Sequence, residues 1–150
     1  MRTRNFMRLT AIAVAVVGSL ALGAAPAAAV AWEDDDAVLS TSGGPPGSLP
    51  CVTDLAEPWE FAKACWEAYG DKIWVGNVDN ATGSTAVVYW TNYYPKDTTV
   101  YRNGQCVAAT PNGWWGVCNK DMHENSLVAF KVCDNTSNLQ ICGPVKKVRT

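Results

Sequence analysis

The residues able to do chemistry in this 150-residue chain are few: six cysteines, one histidine, a scatter of carboxylates and seven tryptophans. The histidine, His123, sits in Asp121-Met122-His123-Glu124 with Ser126 close behind. A serine hydrolase needs a nucleophile, a base and an orienting acid converging in space. Neighbours on one loop seldom converge so, and no nucleophile elbow is present, so His123 reads as a surface-loop residue. Zinc is disfavoured because no second histidine exists and the cysteines have a better use. Glu60, Glu67, Asp71 and Asp79 could supply a glycosidase pair, but they fall near turns or strand ends, where acids ordinarily serve solvation. The run Glu33-Asp34-Asp35-Asp36 reads as a solvated charge cluster rather than a calcium site. No metal, cofactor or catalytic residue is therefore assigned, and the chain reads as a non-enzyme.

The cysteines report on compartment and architecture. Arg2, Arg4 and Arg8 precede an apolar run, Leu9 to Gly23, and Ala-x-Ala sites follow, which predicts a signal peptide over residues 1–31 cut after Ala29 or Ala31. The apolar run is short for a membrane span. Six cysteines in an exported chain suggest three disulfides. Loss of the three basic residues leaves the mature chain more acidic than the full-length net charge of −2. An acidic domain without a basic patch argues against nucleic acid and anionic membranes as partners.

The elements that must position these residues read as strands. Residues 32–50, acidic and then rich in Pro, Gly and Ser, read as a disordered leader. The folded domain is expected over 51–150. Pro58 to about Ala64 favours a short helix, with Trp66 onward extended; helix through to Tyr69 competes closely. Lys72 to Val78 and Ser84 to Tyr94 are strands. Asn103-Gly104 predicts a two-residue hairpin turn between Thr98–Arg102 and Gln105–Ala109. Pro111-Asn112-Gly113 predicts a three-residue hairpin loop before Trp114–Lys120. Counting from that loop sets Cys106 opposite Cys118. Ser126 to Cys133 follows, with Val128, Phe130 and Val132 inward and Lys131 outward. A last strand from Leu139 brings Cys142 to Cys133, which leaves Cys51 with Cys65 by elimination. The fold class is an all-β, disulfide-stapled antiparallel sandwich of six to eight strands.

Several segments, Tyr69-Gly70-Asp71-Lys72-Ile73-Trp74-Val75, Ser84-Thr85-Ala86-Val87 with Trp90, Arg102-Asn103-Gly104-Gln105-Cys106, and Trp114 through Cys118-Asn119-Lys120-Asp121 to Glu124, come in a familiar order. Over about Cys65 to Cys142 the chain resembles a family of small secreted proteins of high-GC filamentous Gram-positive bacteria. Its loop at Asp79-Asn80-Ala81-Thr82-Gly83 is less acidic than the family pattern. The resemblance implies a β-sandwich and export, and carries over no catalytic residue.

Trp90 is expected in the core, and Trp74 exposed or lying against a second sheet. Trp115 is expected with Val117, Val107 and Val100. Trp114 and Tyr101 are expected on the opposite face, over the 106–118 disulfide, as the candidate binding surface. The expected function is that of a secreted binding or structural module for an unknown extracellular protein or glycan. The alternatives are a carbohydrate-binding module using exposed Trp and Tyr, and an inhibitor of a secreted hydrolase.

Overall fold

A computed structural model of the chain describes residues 30–55, 59–78, 84–96, 98–111, 113–136 and 139–150. All but the last two residues of the expected signal peptide lie outside that set. The described residues form an all-β sandwich of two sheets closed by three disulfides, without a helix.

Eleven strands are described: β1 Trp32–Asp36, β2 Val38–Leu39, β3 Cys51–Thr53, β4 Ala62–Glu67, β5 Lys72–Asn77, β6 Thr85–Tyr93, β7 Val100–Ala108, β8 Trp115–Asn119, β9 Leu127–Asn135, β10 Gln140–Cys142 and β11 Lys146–Arg149. The first sheet has the order β1-β7-β6-β9-β10, with β11 continuing along β9 beyond β10. The second has the order β2-β8-β5-β4-β3. All pairings are antiparallel except β1 with β7.

Period-two alternation explains the layers. On β6, Ala86, Val88 and Trp90 turn inward while Tyr89, Thr91 and Tyr93 turn out. On β9, Val128, Phe130 and Val132 are fully or almost fully buried, as expected, and Trp90 joins them. The second sheet contributes Ala62, Ala64 and Trp66 from β4, with Ile73 and Val75 from β5. This alternation displaces the expected helix. Alanine's helix preference is worth only tenths of a kcal/mol per residue, against about 2 kcal/mol or more for burying an aromatic such as Trp66.

Residues 32–39 are structured rather than a free leader. Glu33 and Asp35 face inward, and Trp32, Asp34 and Asp36 outward, on a strand paired along β7. The chain then crosses to the second sheet at Ala37, whose amide donates to the Val107 carbonyl at 2.8 Å. One continuous segment thus closes this side of the sandwich. The other side closes where Gly143, just past β10, presses on β3: a Cβ there would lie 1.8 Å from the Thr53 carbonyl oxygen.

All three expected disulfides form, but only Cys133–Cys142 on the geometry expected for it, since Cys51–Cys65 was assigned by elimination. Cys51–Cys65 and Cys133–Cys142 join directly opposed residues of neighbouring strands, with Cα atoms 4.0 Å apart. Cys106–Cys118 instead crosses between sheets, with Cα atoms 6.1 Å apart. The expected hairpins around it are corrected. Asn103-Gly104 lies inside β7, paired with Thr91 and Trp90, and neither residue has positive φ. The loop through Pro111 and Gly113 does turn the chain, with Gly113 at φ 77° and the Trp114 amide donating to Pro111 at 3.0 Å. It joins the two sheets, however, so β7 and β8 are not neighbours. Trp115 accordingly lies across Gly76 and Gly44 of its own half of the molecule, not beside Val100 and Val107.

Candidate functional site

The outer face of the first sheet gathers the aromatic and hydrogen-bonding side chains. Outward positions supply Trp32 from β1, Asn103 and Gln105 from β7, Tyr89, Thr91 and Tyr93 from β6, and Lys131 from β9. Register places Gln105, Tyr89 and Lys131 in one row across the sheet, and Asn103 and Thr91 in the next. The Trp32 and Tyr89 rings have centroids 6.3 Å apart and are tilted by 46°. The Lys131 ammonium stands 5.5 Å from the Tyr89 ring centre. The Gln140 amide donates to the Tyr89 hydroxyl at 3.0 Å and to Asn135 Oδ1 at 2.8 Å. Trp32, Tyr89, Thr91, Tyr93, Lys131 and Val145 help line a shallow depression of about 200 Å³. Trp32 is half exposed at its rim.

Trp32 depends on β1, and β1 is held by charge. Arg102 Nε and Nη2 donate to the two Glu33 carboxylate oxygens at 2.6 and 2.8 Å, a bidentate pair. Lys120 pairs with Glu33 at 3.7 Å and with Asp35, and its ammonium lies 4.7 Å from the Trp90 ring centre. Burial pushes the Lys120 ammonium below the ordinary lysine range, against the pull of Glu33. The hydrogen bonds that Arg102 donates to Glu33 hold its pKa above the usual value.

The residues singled out in the sequence are dispersed. Trp114 is 50% exposed, but it precedes β8 beside the loop at one end of the sandwich. Tyr101 starts the other end of β7, where its ring meets Tyr94 and His123 at centroid distances of 5.0 and 5.3 Å. The eight residues from Tyr101 to the end of β7 span roughly 23 Å, so the two aromatics share no platform. Their expected placement on neighbouring strands rested on the hairpin that does not form.

His123 is wedged between Tyr94 and Tyr101, and its Nδ1 lies 3.1 Å from the Glu124 carbonyl oxygen. It is half-buried on the loop that follows β8. The Ser126 hydroxyl instead faces the Asn92 amide and Thr150. The carboxylates also serve local bonds. Glu67 accepts from the Trp74 indole at 2.7 Å and from Lys72 at 3.1 Å, and the indole bond in particular lowers its pKa. Trp74 is buried through that contact. Asp71 accepts from the Met122 amide at 3.0 Å; burial raises its pKa, and the charges of Glu124 and Asp121 add to the rise. Glu60 pairs with Lys63 at 3.9 Å. Asp79 lies outside the described residues.

Sequence reasoning missed Trp32 and Tyr89. The sequence carried no signal for β1, because Trp-Glu-Asp-Asp-Asp does not alternate in polarity and aspartate disfavours strands; the alternation is one of burial alone. The cationic partners of β1, Arg102 and Lys120, lie far along the chain, and only folding brings them together. A search against protein-family models, curated proteins and solved structures found no match.

Proposed function

We propose that this protein is an extracellular, non-catalytic carbohydrate-binding module whose ligand lies on the outer face of the first sheet. The observation that carries the reading is the Trp32–Tyr89 ring pair with the Lys131 ammonium at one shallow depression, the Tyr89 hydroxyl being bonded by the Gln140 amide. A pyranose presents apolar C–H faces that stack on aromatic rings and a belt of hydroxyls that amides and ammonium groups bond. Apolar surface with a few convergent polar groups is the general form of a small-ligand site. Aromatic side chains also lose little entropy on binding and present large amphipathic faces. Export is supported by the basic and then apolar start of the chain and by three disulfides, which persist in oxidising compartments. The resemblance to small secreted bacterial proteins points the same way.

Affinity electrophoresis against a panel of soluble polysaccharides, followed by titration of the best ligand, tests the reading. Trp32→Ala and Tyr89→Ala should each weaken binding about tenfold or more, roughly 1.4 kcal/mol, with the melting temperature little changed. Retention of full affinity by both variants would refute the site. Loss of partner binding in Trp114→Ala alone would move the function to the loop at Pro111 and Gly113, as an inhibitor tip would require.

A further inference from the structure

Asp54 and Asp134 are the two most buried acidic residues described, 4% and 3% exposed, and the proposed glycan face uses neither. They approach each other where β3 closes on the edge of the first sheet: burial raises the Asp134 pKa, and the charge of Asp54 adds to the rise. Asp54 follows β3, and the Cβ position of Gly143 lies 3.2 Å from its Cα. Asp134, on β9, is in register with Ile141, two residues before Gly143, and with Ala86 on β6. Each carboxylate has one oxygen without a partner. Asp54 Oδ1 accepts from the Phe61 and Ala62 amides, both at 3.0 Å, while Oδ2 is buried with no hydrogen-bond partner. Asp134 accepts a bond from the Ser84 hydroxyl, and its Oδ1 is likewise buried and unpartnered. Among the described residues neither carboxylate takes part in an ion pair.

Two buried carboxylates without a counter-charge are costly, and a trapped water supplies hydrogen bonds but no charge. Orphaned buried oxygens call for an explanation, an ion among the candidates. We propose that Asp54 Oδ2 and Asp134 Oδ1 bind a hard divalent cation, calcium in particular. Calcium accepts irregular sets of carboxylate, carbonyl and water oxygens, whereas magnesium demands near-octahedral geometry and gives up water reluctantly. The ion ties β3 of one sheet to β9 of the other.

The test is thermal melting of the disulfide-intact chain with added CaCl₂, against MgCl₂ at equal ionic strength and against EDTA. Calcium at ten times its dissociation constant should raise the melting temperature by about 5 °C, and EDTA should reverse the rise. Asp134→Asn should abolish the shift. Asp54→Asn, which keeps an acceptor for the Phe61 and Ala62 amides, should fold and abolish it too. Calorimetric titration with Ca²⁺ should show one site in the wild type and none in either variant. Absence of a calcium shift in the wild type, or an undiminished shift in both variants, overturns the proposal. A wild type blind to calcium beside variants that are more stable at neutral pH would mean that the two carboxyls share a proton instead.

Discussion

Gly104→Ala separates two ways in which a glycine can be required. In a type I′ turn it supplies positive φ; in this fold it supplies room. The added Cβ would stand 2.2 Å from the Glu33 carbonyl oxygen and 2.8 Å from the Glu33 Cβ. That is more than an ångström inside ordinary van der Waals contact, so β1 must move off β7. A shift of this size takes its hydrogen bonds beyond their useful range and loosens the Arg102–Glu33 and Lys120–Glu33 pairs. Overpacking costs typically 1–3 kcal/mol, and Lys120 left buried without partners adds to it, so a loss of about 3 kcal/mol is expected. Because β1 is an edge strand, the sandwich can survive its release. Denaturant melts should show the lower midpoint, and hydrogen exchange should show lost protection at the Ala37 amide, which reports the crossing between sheets. Glycan affinity should fall with it, since Trp32 leaves the site. Asn103→Ala is the control: in a strand without positive φ it should cost well under 1 kcal/mol. If Gly104→Ala leaves both the midpoint and the protection unchanged, or if Asn103→Ala is the more damaging of the two, the close-approach reasoning is wrong.

Two further predictions concern the scaffold. Replacing Cys106 and Cys118 with alanine should cost more than replacing Cys133 and Cys142, by about 1 kcal/mol or more in guanidinium melts. Loop-closure entropy is near 3 kcal/mol for both, but the first pair is buried between the sheets, whereas Cys142 is exposed. Asp71→Asn should be at least as stable as the wild type at pH 7. The raised pKa of Asp71 means that the folded state binds a proton more tightly than the unfolded chain, so this group stabilises as pH falls through its folded pKa and ceases to add below the unfolded value. Asparagine keeps an acceptor for the Met122 amide and tolerates the left-handed backbone at φ 49°. The wild type's gain on mild acidification should shrink in the variant.

What the sequence determined by itself is local and periodic. The strands expected over Ser84 to Tyr94 and Ser126 to Cys133 form as Thr85–Tyr93 and Leu127–Asn135 with Trp90, Val128, Phe130 and Val132 inward as expected, because the side-chain period of a strand is a property of the backbone alone. The cysteine count set the number of bridges and facing strand ends paired Cys133 with Cys142, whereas Cys106–Cys118 was reached through a hairpin that does not form and Cys51–Cys65 only by elimination. Tertiary structure decided the rest. Asn103-Gly104 carries a strong turn preference, yet pairing with β6 on one side and β1 on the other satisfies more backbone groups than a tight turn would, and the glycine admits the incoming strand. Cys106 and Cys118 meet across the sandwich because the loop between them passes from one sheet to the other, a choice that no count of residues along a hairpin contains. The acidic stretch after the expected cleavage region became a strand because Arg102 and Lys120, distant in sequence, neutralise the two carboxylates it turns inward. That docking moved the aromatic face from Trp114 and Tyr101 to Trp32 and Tyr89, since a binding surface is defined by which strands lie side by side.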